Sequence, residues 1–381
     1  MSAHRRPVLV HRRPRHTPQP PPPPLLPLLL LLCAARGAWA ADSGDDALFT
    51  PGTQPADRDG VPVRAHEGWL LRIEDQFFWY GSGAKALTNA SAPGGGADWL
   101  SGSVNLYTSY DLTSWKRRGA VFTAAGLPPA LRGGVGDAPV RLERPKVLYN
   151  AARRFYVLIF HLDGLANDRG LVGWAISPSA AGPFSFQGAD QPDGLPAWDL
   201  SVAAGEGSDA WLVRNVPGAG LAISRLAGDF LGTSGGVCSR IPRAWTGGAD
   251  PGAPCLFAWR GRWYLLASQR RGWAPSAPRM WVSNGSDPCA GWAPVRWPAG
   301  GAGGGRLYDS SPAFVFPYAF AGGDADPLLI YFGDRWQPDV GNASYVWAAM
   351  LPGADGAPRL VDPGTGWRPS DFRPPPSLAA T

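Results

Sequence analysis

The sequence predicts an all-β fold, and three features of the chain support that prediction. The 381 residues include 50 Gly, 41 Pro and 18 Trp but only 17% charged residues, a composition that favours turn-rich strands over charged helices. No segment shows the sustained 3.6-residue periodicity of a long amphipathic helix. One short pattern also returns five times along the chain, which is typical of a repeat architecture.

Each copy of the repeat is a polar or Gly turn followed by a run of aromatic and β-branched residues. The five runs contain Phe77, Phe155, Trp211, Trp263 and Leu329. Another strand-like segment precedes most of them, and a third follows most of them. Such hairpins cannot bury their faces alone, so radial stacking is the natural solution. We therefore expect a five-bladed β-propeller, with a β-sandwich carrying long loops as the alternative.

The ends of the chain differ in composition from the repeats. Residues 1–40 combine arginines, a short apolar run at 25–32 and the triplet Ala38-Trp39-Ala40, which predicts a secretory signal peptide; a transit peptide is the alternative. Residues 41–59 are expected to form an unstructured linker, and 60–372 the propeller. The Pro-rich residues 373–381 are expected to form a tail.

The charge distribution excludes one large class of partners. The formal charge is +5, but six arginines lie in the first forty residues with no acid among them. The rest of the chain is therefore close to neutral and lacks the basic excess that nucleic-acid binding requires. No apolar stretch reaches the roughly 20 residues that span a bilayer. We expect a monomer without a membrane span in the mature chain.

Sequons and cysteines fit a lumenal route. Three Asn-x-Ser triplets begin at Asn89, Asn284 and Asn342, and each is a potential glycosylation site. Beyond the predicted signal the chain has three cysteines, which allow one disulfide and one free thiol. The sequence leaves the pairing open among Cys238, Cys255 and Cys289.

Carboxylates near the start of each predicted inner strand are the first candidates for chemistry. The inner strands of a propeller surround its axis, so residues at their starts converge there even when they are far apart in sequence. One acid precedes or opens each of the five inner strands: Glu67, Glu143, Asp199, Asp250 and Asp309. We expect these five carboxylates to surround an axial pocket.

Acids in a tryptophan-rich pocket favour glycoside chemistry. One carboxylic acid can protonate the leaving oxygen while one carboxylate activates water, and flat aromatic faces stack on sugars. Trp273 and Trp336 are the candidates for stacking, with packing between blades as the alternative. Beyond the predicted signal only His66 and His161 remain, and motifs for triad hydrolases, zinc proteases and nucleotide enzymes are missing. No metal or cofactor is expected.

Several segments in order resemble glycoside hydrolase family 43, and most closely its exo-β-1,3-galactanase branch. The resemblance covers nearly all of residues 60–350. Its most specific segments are Glu143-Arg144-Pro145-Lys146 and Gly333-Asp334-Arg335-Trp336, and further matches include Tyr110-Asp111-Leu112-Thr113-Ser114-Trp115, Ala181-Gly182-Pro183-Phe184 and Gly272-Trp273-Ala274-Pro275. It implies a five-bladed propeller that hydrolyses plant or algal polysaccharides with inversion.

The same resemblance implies roles for individual residues. Glu143 and Asp199 correspond to acids that bind substrate and tune the site, and Glu67 to the general base of the wider family. The family's general acid is a Glu preceding Ala-Pro on the fourth inner strand, where this chain has Gly252. The carboxylate nearest to Gly252 in the sequence is that of Asp250, two residues earlier, and it is the candidate to act in its place. Substrate contacts are expected from Trp273, Asp309, Arg335 and Trp336.

The resemblance leaves two hypotheses for function. The first is a secreted inverting glycosidase acting on galactan-type chains. The second is a non-catalytic sugar-binding propeller that kept the pocket and lost the acid. In the branch that this chain resembles, the Asp-Ser of the fifth blade precedes a Gln, whereas here Ser311 follows Asp309-Ser310.

Overall fold

Five antiparallel sheets of four strands form the propeller in a computed structural model of the chain. The structure describes residues 44–83, 85–87, 98–132, 140–164, 166–205, 207–270, 273–296, 307–320, 326–337, 342–361 and 366–373. The predicted signal peptide, the Gly-rich stretches 92–97 and 300–305 and most of the predicted tail lie outside these residues. In each sheet the strands follow one another in space as they do in sequence. The predicted five-bladed β-propeller is confirmed.

The first two blades occupy residues 66–123 and 140–190. Blade 1 consists of β1 (His66–Ile73), β2 (Gln76–Ser82), β5 (Ser103–Ser109) and β6 (Lys116–Thr123). A separate hairpin of β3 (Lys85–Leu87) and β4 (Asp98–Leu100) interrupts it. Blade 2 consists of β7 (Val140–Asn150), β8 (Phe155–Gly164), β9 (Leu171–Ser177) and β10 (Ser185–Asp190).

The remaining three blades repeat the arrangement. Blade 3 consists of β11 (Leu200–Ala204), β12 (Ala210–Val216), β13 (Gly220–Leu226) and β14 (Thr233–Pro242). Blade 4 consists of β15 (Pro251–Trp259), β16 (Arg262–Gln269), β17 (Arg279–Ser283) and β18 (Trp292–Val295). Blade 5 consists of β19 (Ser311–Tyr318), β20 (Leu328–Gln337), β21 (Asn342–Pro352) and β22 (Pro358–Leu360).

Helical structure in the described part of the chain is limited to short 3-10 turns. They span Gly44–Asp46, Ala124–Gly126, Pro129–Leu131, Pro192–Gly194, Arg243–Thr246 and Pro369–Phe372. None of the described helices has the length and apolar character needed to cross a membrane.

The aromatic runs of the repeat become the second strand of each blade, and they fill the spaces between blades. Five buried clusters alternate with the five blades around the ring. The cluster between blades 5 and 1 contains Trp79 and Trp347, whose ring centroids lie 5.0 Å apart. Each blade therefore buries both faces against its neighbours, as the sequence predicted for hairpins that cannot fold alone.

A disulfide joins two neighbouring blades on their outer side. It links Cys238 on β14 of blade 3 to Cys289 in the connection between β17 and β18 of blade 4. Cys255 is buried on the inner strand β15 and remains a free thiol. The pairing that the sequence left open is therefore Cys238 with Cys289.

Residues 44–59 are not the free linker that the sequence predicted. Phe49 exchanges backbone hydrogen bonds with Trp367. The carbonyl of Thr53 accepts the N–H of Tyr345 on β21, and the carbonyl of Tyr345 accepts the N–H of Gly52. The segment then reaches blade 1, where the N–H of Arg58 donates to the carbonyl of Trp115. It therefore fastens the last blade to the first, and buried Phe49 anchors it.

Removal of the Phe49 ring tests this fastening. Phe49 is 5% exposed and lies 4.9 Å from Trp347 and 4.8 Å from Trp367 between ring centroids. We expect Phe49→Ala to lower the free energy of unfolding in urea by about 3–5 kcal/mol. Leu48, which is 53% exposed, is the control, and Leu48→Ala should change it by less than about 0.5 kcal/mol. If Phe49→Ala changed the free energy of unfolding as little as Leu48→Ala does, the segment would be a loose linker.

Candidate active site

A polar pocket lies where the inner strands begin, at one end of the propeller axis. Its volume is about 190 Å³. Its lining combines three acids, three arginines, two tryptophans and two small polar residues: Glu67, Glu143, Asp199, Arg141, Arg144, Arg270, Trp273, Trp336, Asn167 and Ser311. A more apolar pocket lies elsewhere, between residues 48–55 and blades 1 and 5, and it has no charged group in its lining.

Irregular backbone turns several inner strands toward the pocket. The pairing of β1, β7 and β15 with their neighbours is interrupted at equivalent places. At these bulges Glu67, Arg144 and Ala253 adopt left-handed conformations, with φ of 55°, 53° and 51°. Bulges of this kind re-aim side chains and are common beside functional sites. The residue at the bulge thus has an acidic side chain in blade 1, a positively charged arginine side chain in blade 2 and an apolar side chain in blade 4.

The guanidinium of Arg144 lies at the base of the pocket and contacts three other blades. Its Nε lies 3.0 Å from Oδ1 of Asp199, and Nη2 lies 3.4 Å from Oε1 of Glu67. Its Nη1 donates to the carbonyl of Pro312 on β19 at 2.7 Å. The Arg144 side chain is only 6% exposed, so these partners supply nearly all of its solvation. Arg144 therefore fixes the positions of two pocket carboxylates.

Glu67 is the pocket acid that holds its proton most firmly. Burial raises the pKa of Glu67 from 4.5 to about 7; Arg144 opposes the rise, and the charges of Glu143, Asp199 and Asp334 add to it. The carboxylate also accepts the backbone N–H of Arg144 at 3.3 Å. Near neutral pH this one group can therefore exist in both protonation states.

The backbone around Glu67 is held by two buried groups of opposite charge. Asp334 accepts the N–H of Glu67 at 2.8 Å, and its other oxygen lies 3.0 Å from Nδ1 of His66. The ammonium of Lys146 donates to the carbonyls of Glu67 and Gly68 at 2.7 and 2.9 Å. Burial, assisted by the charge of Arg144, lowers the pKa of Lys146 to about 7. These contacts hold the β1 bulge in place.

Glu143 belongs to a chain of charged groups inside blade 2. One of its oxygens lies 3.2 Å from Nδ1 of His161, and the other lies 3.2 Å from Nη1 of Arg141. His161 is also bonded to Asp163 at 3.2 Å. Burial alone would lower the pKa of His161 and raise that of Glu143. The ionic partners outweigh burial, so the pKa of His161 rises to about 9 and that of Glu143 falls below its usual value. Glu143 is therefore ionised at neutral pH.

Asp199 is ionised as well, and it faces the position where blade 4 lacks a side chain. Its Oδ2 accepts the N–H of Ala253 at 2.9 Å. Burial would raise the pKa of Asp199, but Arg144, Arg270 and this N–H lower it well below its usual range. A Cβ built on Gly252 would lie 3.0 Å from Oδ2 of Asp199. A side chain at residue 252 would therefore start at the pocket wall.

Trp273 and Trp336 form one aromatic wall of the pocket. Their ring centroids lie 4.8 Å apart with an interplanar angle of 57°. Trp336 also contacts His66, with ring centroids 5.0 Å apart. The two rings, from blades 4 and 5, thus pack against each other and line the pocket. Their stacking on a sugar stays a prediction.

Three residues expected at the site lie outside the pocket lining. Asp250 precedes β15 and turns away, and its two oxygens accept the N–H of Gly218 at 3.1 and 3.2 Å. Asp309 lies in a left-handed turn, with φ of 57°, ahead of β19. Arg335 points to the opposite face of β20 from Asp334, and its Nε donates to the carbonyl of Tyr308 at 2.9 Å. The expectation of five converging carboxylates is therefore wrong; three converge.

The sequence did not predict two other residues near the site, Asp334 and Arg270, because neither lies at the start of an inner strand. Asp334 lies on β20, which runs antiparallel to β19 and so ends at the same edge, with Asp334 opposite Ser311. The Gly333-Asp334-Arg335-Trp336 segment, which carries the family resemblance, could have pointed to Asp334. Arg270 gave no sequence signal. Among the described residues, no group of three or more His, Cys, Asp or Glu side chains is arranged to hold a metal ion.

Comparison with known proteins gives the family context of this geometry. Neither the protein-family models nor the curated protein sequences contain a significant match to this chain. Solved structures do match. An exo-β-1,3-galactanase from Phanerochaete chrysosporium, with β-1,3-galactotriose, has a TM-score of 0.67 and 26% identity over 84% of this chain and 68% of that chain.

Two further structures share the fold at lower identity. An exo-β-1,3-galactanase from Clostridium thermocellum has a TM-score of 0.68 and 24% identity, over 84% of this chain and 68% of its own. A family 43 β-1,3-galactosidase with galactodeoxynojirimycin has a TM-score of 0.70 and 20% identity, over 84% of this chain and 100% of its own. The chain thus has a propeller fold similar to those of family 43 exo-β-1,3-galactanases and of a family 43 β-1,3-galactosidase.

The raised pKa of Glu67 predicts a pH effect on stability. Between pH 4.5 and about 7 the folded state holds a proton that the unfolded state has lost, so the free energy of unfolding falls as pH rises through this range. Glu67→Gln removes this ionisation. Relative to wild type, the variant should therefore gain about 3 kcal/mol between pH 4.5 and 7.5 in urea titrations.

Glu74→Gln, in the turn between β1 and β2, is the matched control for this pH effect. Its stability difference from wild type should stay within about 0.5 kcal/mol across the same range. A constant difference between wild type and Glu67→Gln would show that Glu67 ionises normally in the folded protein.

Proposed function

We propose that the axial pocket binds the terminal sugar of a galactan-type or related plant or algal polysaccharide. The observation that carries this proposal is the convergence of Glu67, Glu143 and Asp199 beside the Trp273–Trp336 wall. Carboxylates accept hydrogen bonds from sugar hydroxyls, and aromatic faces stack on the apolar faces of pyranose rings. The galactotriose-containing structure of the Phanerochaete chrysosporium galactanase supports a galactose-configured ligand.

The proposed reaction is hydrolysis with inversion, in which Glu67 activates water. A base must be ionised, and the pKa of Glu67 near 7 makes it available at neutral and mildly basic pH. Glu143 and Asp199 remain charged and act on substrate binding and on the charge of Glu67. Inversion also requires a proton donor on the opposite side of the glycosidic bond.

Gly252 is the reason to expect weak turnover. A side chain at residue 252 would start beside Asp199, but glycine supplies no proton. Asp250 does not replace it, because both of its oxygens face Gly218. Loss of a positioned general acid typically reduces rates by ~10²–10⁴-fold. We therefore propose that natural glycosides are bound and cleaved slowly.

A non-catalytic sugar-binding propeller is the second candidate function. The observation that favours it is the strong ion pairing of Glu143 with Arg141 and His161, which keeps this acid from donating a proton. Both functions place the ligand in the same pocket. They differ in whether any glycosidic bond breaks there.

We also propose that the protein is secreted as a monomeric glycoprotein. The disulfide between Cys238 and Cys289 supports an oxidising compartment. Asn284 is exposed, as an acceptor must be. Asn89 lies outside the described residues, and for Asn342 only the backbone, at the start of β21, is described.

Loss of pocket carboxylates should weaken sugar binding at least tenfold without unfolding the protein. Glu143→Gln and Asp199→Asn each remove a charged acceptor, so calorimetry with β-1,3-galactotriose should show at least a tenfold loss of affinity, or about 1.4 kcal/mol. Asp309→Asn, which alters an acid outside the pocket, should bind as wild type does. Circular dichroism monitors the fold. Unchanged affinity in both pocket variants would place the sugar site elsewhere.

Restoration of an acid at residue 252 tests the catalytic proposal. Wild type should hydrolyse an aryl β-galactoside with a good leaving group better than β-1,3-galactan, with a rate that rises with pH through about 7. Gly252→Glu should increase galactan cleavage by about 10²-fold or more. Gly252→Gln has the same shape without the acid and should give no increase.

Two results would contradict this assignment of the acid. The first is efficient galactan cleavage by wild type that Asp250→Asn leaves unchanged, because a different donor would then operate. The second is equal galactan cleavage by Gly252→Glu and Gly252→Gln, because packing rather than proton donation would then account for any gain.

A further inference from the structure

Arg270 is a pocket residue to which the proposed hydrolysis assigns no contact with the sugar. It follows the end of β16, and its N–H donates to the carbonyl of Asp250 at 2.8 Å. Its side chain lines the pocket beside Trp273. Its charge is one of those that lower the pKa of Asp199, so its guanidinium lies within electrostatic range of that carboxylate.

The guanidinium of Arg270 is held in place by an aromatic ring instead of an ion pair. It stacks on Trp198, with 3.9 Å between Cζ and the ring centroid. In the described part of the chain, no acid lies within ion-pair distance of it. The other two pocket arginines differ, since Arg141 pairs with Glu143 and Arg144 with Glu67 and Asp199. Stacking keeps the N–H groups of Arg270 available at its edge.

The space beside Arg270 is left open by Gly252. A Cβ at residue 252 would lie 3.6 Å from both Cα and Cβ of Arg270, so a longer side chain would extend past this arginine. An acid there would be the natural counterion of Arg270. Asp199 cannot fully replace it, because one of its oxygens is bonded to Arg144 and the other to the N–H of Ala253.

We propose that Arg270 binds an anionic substituent of the sugar chain, either the carboxylate of a uronic acid or a sulfate ester. This inference rests on the proposed sugar-binding function of the pocket and names its substrate class. A planar guanidinium matches both groups, because each presents two oxygens to its parallel N–H donors. The ligand anion takes the place of the missing protein carboxylate. The loss of an acid at residue 252 is thereby coupled to a gain in specificity.

Calorimetry with three related ligands tests the inference. The ligands are neutral β-1,3-galactobiose, the same disaccharide capped with glucuronic acid, and the same disaccharide with one 6-sulfate. Wild type should bind at least one anionic ligand about tenfold more tightly than the neutral one. The capped and sulfated arms distinguish the two sources of charge. Added salt should reduce the preference, because it screens the charge of a partly exposed arginine.

Variants at Arg270 connect the preference to this residue. Arg270→Gln should bring the ratio of anionic to neutral affinity close to one, and Arg270→Lys should retain part of it because the charge remains. Arg279→Gln changes an exposed arginine at the start of β17, outside the pocket, and should keep the wild-type ratio.

Each other outcome overturns the inference in a recognisable way. If wild type binds the neutral and anionic ligands with similar, measurable affinity, the role of Arg270 is rejected and the sugar-binding function stands. A preference that persists in Arg270→Gln assigns it to another cation. Failure of all three ligands to bind rejects the proposed function and the inference together.

Discussion

The buried guanidinium of Arg144 is the interaction on which the pocket depends. An arginine that is 6% exposed is strongly destabilising unless acceptors replace its water, and here they come from blades 1, 3 and 5: Glu67, Asp199 and the carbonyl of Pro312. Because the acceptors lie far apart in sequence, they meet only when the ring of blades closes. The segment at 44–59 contributes to that closure by fastening blade 5 to blade 1. The pocket is therefore a product of the complete propeller and of no single blade.

The positive charge of Arg144 also offsets the repulsion between the pocket carboxylates. It keeps Asp199 ionised, whereas Glu67 lies deeper and retains its proton up to about pH 7. Glu143 is stabilised in its charged form by His161 and Arg141. Environments that drive pKa values apart are how a site assigns acid and base roles to similar groups. In the proposed function, this site supplies a base and two charged binding groups, and it lacks the donor because of Gly252.

The blade pattern was predictable because the inner and second strands are rich in aromatic and β-branched residues that must be buried. Not all outer strands could be predicted, because some lack a run of aromatic and β-branched residues. Strand β6 begins with Lys116, and β14 contains adjacent glycines. At the site, Glu67, Glu143 and Asp199 were predicted from their positions at inner-strand starts. Asp250 and Asp309 satisfied the same rule, but neither lines the pocket. The Asp250 carboxylate accepts the N–H of Gly218, and the left-handed backbone of Asp309 could not be predicted from its position in the sequence. Asp334 required knowledge of pairing, because its strand reaches the pocket from the opposite direction.

A crystal structure of wild type soaked with β-1,3-galactobiose tests the central claim most directly, namely that the Arg144-centred pocket still holds a glycoside but cannot protonate it. The account predicts an intact disaccharide whose non-reducing galactose contacts Glu143, Asp199 and the Trp336 ring. It also predicts that no protein carboxylate lies within about 3.2 Å of the glycosidic oxygen. Rapid conversion of the disaccharide to free galactose in the pocket, or a carboxyl oxygen bonded to the glycosidic oxygen, would contradict the account.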